Sequence, residues 1–205
     1  MDYWNSILTE KSWAALQQLK REFKFIVIGG WAVWLWAKAH KSRDIDIIVD
    51  FIELEKLRQK FNVVKNERLK KYEIHIEEID VDIYVPHYSR LAFPLEDAEQ
   101  HSSQIESLAV LKPEALMLLK QPAEIARSGS EKGSKDRIDM LDLLLKTGFD
   151  YGQYRELAEK YGLKDYPGHL KTTVKNFISY EFLGLNPRQF KLRKNEVLKK
   201  LQLQK

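Results

Sequence analysis

The chain has 205 residues, enough for one domain or for a compact catalytic domain joined to a smaller helical one. Its apolar content of 44%, with 11% aromatic residues, is sufficient for a packed core. There is no cysteine, which excludes a disulfide framework, a zinc–thiolate site and cysteine nucleophile chemistry. The net charge of +4 is uneven: residues 151–205 hold 12 Lys/Arg against 5 Asp/Glu, while residues 1–150 hold 22 against 25. An acidic first part and a basic last part fit a metal site beside a polyanion-binding surface, and they fit a solvated lysine-rich helix equally well. No apolar run approaches the roughly 18 residues of a membrane span, and the N-terminus lacks a signal-peptide pattern. A cytoplasmic protein without a membrane partner is expected.

Residues 2–22 read as one amphipathic helix, with Ile7, Leu8, Trp13, Leu16 and Leu19 at helical spacing. Phe25 to Ile28 is an apolar, β-branched run, as a strand buried on both faces requires. Gly29 and Gly30 then permit a sharp turn and a close approach. Trp31 to Ala39 is long enough for about two and a half helical turns. Its tryptophans at 31, 34 and 36 read as core rather than as a base-stacking platform.

Ser42 to Val49 returns as a strand on which Asp44 and Asp46 share one face, about 6.6 Å apart at Cα. A charged helix (Ile52–Phe61) and two short strands (62–64 and 72–76) follow. On the second of these, Glu73, His75 and Glu77 alternate with Ile74 and Ile76, the pattern of a half-exposed strand with His75 towards solvent. In Ile79 to Pro86, the residues Ile79, Val81, Ile83 and Val85 line one face, and Asp80, Asp82 and Tyr84 share the other.

Arg90 follows this strand end, where an ion pair or a phosphate contact is open to it. Residues 95–104 are polar and acidic, a loop or short helix. A helical part begins over Leu108 to Arg127, with Pro113 at a first helical position and Pro122 expected to kink or break the helix. The Gly/Ser/Lys-rich stretch 127–137 reads as a flexible loop that either stays a linker or orders on nucleotide binding. It leads into an apolar helix from Ile138, with Lys135 and Asp136 in its first turn. Helices over 153–161, 168–183 and 187–203 complete the chain, punctuated by Gly148, Gly162, Gly184 and Asn186-Pro187.

Two carboxylates on one strand face repel each other and call for a compensating cation, and an oxygen-only set suits Mg²⁺. A glycine turn opening a helix offers free backbone N–H groups and a positive dipole end, which suit phosphate. If the 79–85 strand lies beside Asp44 and Asp46, three or four carboxylates converge, as two-metal phosphoryl transfer requires. Asp80 and Asp82 are both candidates for the third acid, which is also a candidate general base.

Gly29-Gly30, the helix after it and Asp44-Ile45-Asp46 with its apolar continuation resemble the signature of the polymerase-β-type nucleotidyltransferase superfamily. That signature is hydrophobic-Gly-Gly/Ser, a spacer, then Asp-hydrophobic-Asp/Glu-hydrophobic. In the superfamily's poly(A) polymerases the third aspartate has an acidic neighbour two residues before it, so Asp82 matches the aspartate and Asp80 the neighbour. Lys120, followed by the basic loop and by Lys135, Asp136, Asp139, Leu143 and Leu144, is similar to the helical part of AbiEii-type nucleotidyltransferases, the abortive-infection toxin family.

The resemblance implies an α+β nucleotidyltransferase fold: a small mixed twisted sheet of about four or five strands flanked by helices, then a helical C-terminal part. The expected division is a catalytic domain over 1–107 and a helical domain over 108–205. Gly29, Gly30, Lys120 and Lys135 would contact a nucleoside triphosphate. Asp44, Asp46 and Asp82 would be catalytic, and with Asp80 they would bind Mg²⁺ or Mn²⁺. The implied reaction moves a nucleoside monophosphate to a hydroxyl on RNA (such as tRNA), protein or a small molecule. A cognate antitoxin is a further expected partner. The alternative is a nucleotidyltransferase-like binding protein, or toxin–antitoxin component, with weak catalysis.

Overall fold

The computed structural model describes residues 6–202 and divides into two compact units, Met1–Lys112 and Pro113–Lys205. In the first unit the order is α1 (Ser6–Glu22), β1 (Ile26–Ile28), α2 (Gly29–Ala37), β2 (Ile45–Ile48), α3 (Phe51–Lys60), β3 (Val64–Asn66), β4 (Lys71–Ile76), β5 (Ile79–Tyr84), β6 (Ser102–Ile105) and β7 (Leu108–Leu111). Residues 2–5 of the expected first helix lie outside the described residues. The strands form one mixed sheet in the order β3-β4-β5-β2-β1-β7-β6. β2 pairs in parallel with β5, β1 pairs in parallel with β7, and the other neighbours are antiparallel.

The register sorts the side chains by face. Val27 opposes Ile47, Ile47 opposes Ile83, and Ile83 opposes Tyr72, while Ile45, Val81 and Ile74 form a second row. All seven are buried, on the face that α1 and α2 help to cover with Leu16, Leu19 and Trp31. The tryptophans of α2 belong largely to this packing. Trp31 is fully buried and its indole N–H donates to the Ser12 hydroxyl at 2.8 Å, while that of Trp36 donates to the Leu111 carbonyl at 2.8 Å. Ile7 departs from expectation: it stands exposed at the start of α1.

The sheet has seven strands, where four or five were expected, and both extra strands come from one error. Residues 102–105, read as loop or short helix, and Leu108–Leu111, read as the start of a helix, pair as the hairpin β6–β7 at the sheet edge. The alternation in Leu108-Ala109-Val110-Leu111 is incomplete because Leu108, Val110 and Leu111 are all buried, so periodicity alone left its class undecided.

The second unit is helical: α4 (Pro113–Ala126), α5 (Glu131–Lys146), α6 (Tyr151–Lys160), α7 (Tyr166–Asn176) and α8 (Pro187–Gln202). Leu203, placed in the last helix from the sequence, lies outside the described residues. α4 packs against α5, α6 and α7, and α8 against α5 and α7. Asn186 caps α8 reciprocally with Gln189, the side-chain oxygen of each accepting from the other's backbone N–H. Pro122 does not break α4, which runs on through it to Ala126.

The stretch 127–137, expected as a flexible loop, is mostly helix. Ser130 caps α5 by accepting from the Gly133 N–H at 3.1 Å, so the helix begins seven residues earlier than Ile138. Gly133 is required there, because a Cβ would stand 2.3 Å from the Arg127 carbonyl oxygen. Replacing a helix-interior glycine by alanine ordinarily stabilises by about 0.5–1 kcal/mol. Gly133→Ala should instead lower the thermal unfolding midpoint of the chain; an unchanged or higher midpoint would show that the turn at Arg127 yields freely.

Candidate active site

The sheet face opposite the core carries the acidic residues. Asp46 sits on β2 directly opposite Ile28 of β1 and beside Asp82 of β5, so Asp46 and Asp82 are register neighbours across a parallel pair, about 4.8 Å apart at Cα. Asp44 lies in the bend just before β2 and is exposed, while Asp46 is half-buried. Glu73 on β4 stands directly opposite Asp82 on its other side. Three neighbouring strands thus place Asp46, Asp82 and Glu73 in one row, with Asp44 two residues before Asp46 in the chain.

The glycine turn meets this row from β1. Gly29 and Gly30 form the first turn of α2 itself, not a loop ahead of it, and the helix has no side-chain cap. Gly29 has φ +64°, a left-handed conformation, and a Cβ on it would fall 2.0 Å from one Asp46 carboxylate oxygen. Two independent demands therefore fall on one residue: the turn needs positive φ, and the carboxylate needs the space. The Asp46 anion lies at the positive end of the helix dipole, which offers the site both unsatisfied N–H groups and a favourable field.

Asp82 is held by Lys71, whose ammonium lies 2.6 Å from the Asp82 carboxylate and 2.9 Å from that of Glu73. The Asn66 amide also donates to Glu73, at 3.0 Å. Burial pushes the Asp82 carboxyl above its usual 3.8. Lys71 pulls it back without cancelling that push, and the negative charges of Glu73 and Asp44 raise it further. Burial works to lower the Lys71 ammonium as well, but its hydrogen bonds to Asp82 and Glu73 win and it stands above 10.5. The same contact to Lys71 holds Glu73 below its ordinary value. Within the row, the Lys71 ammonium is thus shared by Asp82 and Glu73.

Asp44, Asp46, Asp82 and Glu73 offer carboxylate oxygens only, a donor set that fits Mg²⁺ in kind. Among the described residues no three His, Asp or Glu side chains form a ready-made metal cage. Mg²⁺ commonly binds through one or two carboxylates plus substrate phosphates, and Asp44 and Asp46 are the carboxylates that could serve in that way. Asp80 points from the same face of β5, but it is exposed and paired with His75 at 2.6 Å.

Lys120 and Lys135 belong to the second unit. The Lys120 ammonium is buried between Asp136 (3.3 Å) and Asp139 (2.5 Å), so both aspartates serve as ion-pair partners. Arg127 reaches the other oxygen of Asp136 at 2.6 Å. Lys135 is half-buried on α5. Lys71 and Glu73 were missed as site residues. Their signal was the same-face spacing of 71 and 73, but it acquires meaning only once β4 is paired with β5.

The contact between Gly29 and Asp46 predicts a measurable coupling. Gly29→Ala should cost at least about 1–2 kcal/mol in urea unfolding from the left-handed backbone alone. In an Asp46→Ala background the cost should shrink, because the methyl no longer meets the carboxylate. Additive effects, within about 0.5 kcal/mol, would show that the two residues do not press on each other.

No protein-family model matches the chain, and no curated protein matches it. Several solved structures are similar, three of them as follows. A putative nucleotidyltransferase from Helicobacter pylori shares 15% identity, with 97% of this chain and 94% of that one covered at a TM-score of 0.51. JHP933, also from H. pylori, shares 15% identity over 96% of this chain and 93% of that one, with a TM-score of 0.47. An antigenic nucleotidyltransferase-like protein from Paracoccidioides brasiliensis shares 17% identity over 83% of this chain and 93% of that one, with a TM-score of 0.42. The first of these carries the assignment, and at such identity it speaks for the fold alone: the chain has an α+β, nucleotidyltransferase-like fold.

Proposed function

We propose that the protein is a Mg²⁺-dependent nucleotidyltransferase that moves a nucleoside monophosphate from a nucleoside triphosphate to a hydroxyl acceptor. The observation that carries this reading is the packing of the Asp46 carboxylate against the left-handed Gly29 at the start of α2, with Asp82 beside it in register. The nucleotidyltransferase-like fold supports it.

In this reading the free N–H groups at the start of α2, around Gly29 and Gly30, receive the terminal phosphates. Asp44 and Asp46 hold Mg²⁺ (or Mn²⁺), which supplies charge neutralisation on the triphosphate. The acceptor oxygen forms a bond to the α-phosphorus while the bond from that phosphorus to the bridging oxygen breaks, and pyrophosphate leaves. Asp82 takes the acceptor's proton, and its raised pKa suits a base better than an ordinary aspartate would. Asp80 stands at the margin of the set as a supporting carboxylate. Lys120 and Lys135 are assigned to the triphosphate on the likeness to AbiEii-type enzymes, and a toxin–antitoxin role with a cognate antitoxin rests on the same likeness. The acceptor class extends over RNA ends, including tRNA, protein hydroxyls and small alcohols, and the setting is cytoplasmic. The hold of Lys71 on Asp82 favours one second reading, a nucleotidyltransferase-like binding protein with weak catalysis.

Incubation with each α-labelled nucleoside triphosphate, Mg²⁺ or Mn²⁺, and total cellular RNA and protein separates the two readings. Label should pass to one acceptor class with the wild type and not with Asp44→Asn/Asp46→Asn. Binding of triphosphate without transfer to any acceptor, small alcohols included, would favour the binding protein.

A further inference from the structure

Lys71 has no assigned role in the reaction above, yet it is the most constrained cation in the first unit's acidic row. A lysine side chain is seldom buried unless paired; that of Lys71 is 11% exposed. The register explains why. Glu73 and Asp82 are directly opposed across β4 and β5, an arrangement that is destabilising for like charges. Lys71, two residues before Glu73 on β4, shares its face and sends its ammonium to both carboxylates at hydrogen-bond distance. Asn66 ties Glu73 down from the neighbouring strand, so the carboxylate is held towards the ammonium from both sides.

We propose that Lys71 is a positioning residue that supplies the second positive charge of this site, so that the reaction uses one divalent ion and one ammonium in place of two divalent ions. The inference rests on the nucleotidyltransferase reading. Its ground is that Asp82, the carboxylate a second ion would have to share with Asp44 and Asp46, is already engaged by a fixed cation. A divalent ion drawn to Asp82 would meet the Lys71 charge at close range, where repulsion in a half-buried setting is strong. The ion that accompanies the triphosphate is the one the proposed reading assigns to Asp44 and Asp46. An ammonium differs from a metal in one useful respect: it orients Asp82 without withdrawing its electron pairs into coordination, so the carboxylate keeps an oxygen with which to receive the acceptor's proton.

Counting Mn²⁺ decides the matter without measuring transfer. The full chain is saturated with a non-hydrolysable α,β-methylene triphosphate, and unbound Mn²⁺ is read by electron paramagnetic resonance for wild type, Lys71→Met and Lys71→Gln. Thermal unfolding checks that each variant is folded, and the two variants guard against the loss of either one. One ion per chain is expected in the wild type and two in the variants, where the opposed pair Glu73 and Asp82 is left without its cation. Two ions in the wild type, or one ion in wild type and variants alike, would overturn the inference and leave the transferase reading standing. No nucleotide-dependent ion in any of the proteins would take down both.

Discussion

The approach of the Asp46 carboxylate to the Gly29 Cα is the contact on which the rest of the candidate site depends. It joins the end of β1, the first turn of α2 and the middle of β2 at one point. Because Ile28 and Asp46 are paired in the β1–β2 register, a slip of one residue would turn Asp46 into the core and expose its neighbours Ile45 and Ile47. The buried row Val27, Ile47, Ile83 and Tyr72 therefore does more than stabilise the sheet: it sets the register that places the carboxylates on the open face.

Electrostatics then sets what this face can do. Four carboxylates, Asp44, Asp46, Glu73 and Asp82, accumulate along adjacent strands, and the buried Lys71 ammonium is paired with two of them, Glu73 and Asp82. A lysine–carboxylate pair in a half-buried place contributes little to stability after desolvation, but losing one partner is costly. In the proposed function, such a cluster serves as preorganisation for a cation and a polyanionic substrate more than as a support for the fold. The helical unit contains a comparable buried arrangement: Lys120 is enclosed by Asp136 and Asp139, and Arg137 is paired with Glu124.

Much of the acidic face was legible because its signals are local. Period-two alternation in 79–85, the Asp44-Ile45-Asp46 triplet and the paired glycines each depend on residues a few positions apart. The parts that were not legible depend on pairing over longer range. The β4–β5 hairpin turns at Glu77-Glu78 with Glu77 at φ +54°, a position where glycine or asparagine is the usual marker, so neither the hairpin nor the opposition of Glu73 to Asp82 was announced. Lys71 consequently carried no local signal of a site residue. Similarly, Gly133 among serines and lysines carried the composition of a loop, whereas its small size is what allows α5 to start against Arg127. The edge hairpin β6–β7 was obscured because a short apolar strand and a helix start look alike in four residues.

The most direct test of the central claim is equilibrium binding of a nucleoside triphosphate to the wild-type chain, in Mg²⁺ and in chelator, alongside Asp46→Asn. The account predicts binding in Mg²⁺ that weakens at least tenfold, or about 1.4 kcal/mol, both on chelation and in the variant. Equal affinity under all three conditions would contradict it, because the carboxylate against Gly29 would then have no part in holding the metal-bound triphosphate.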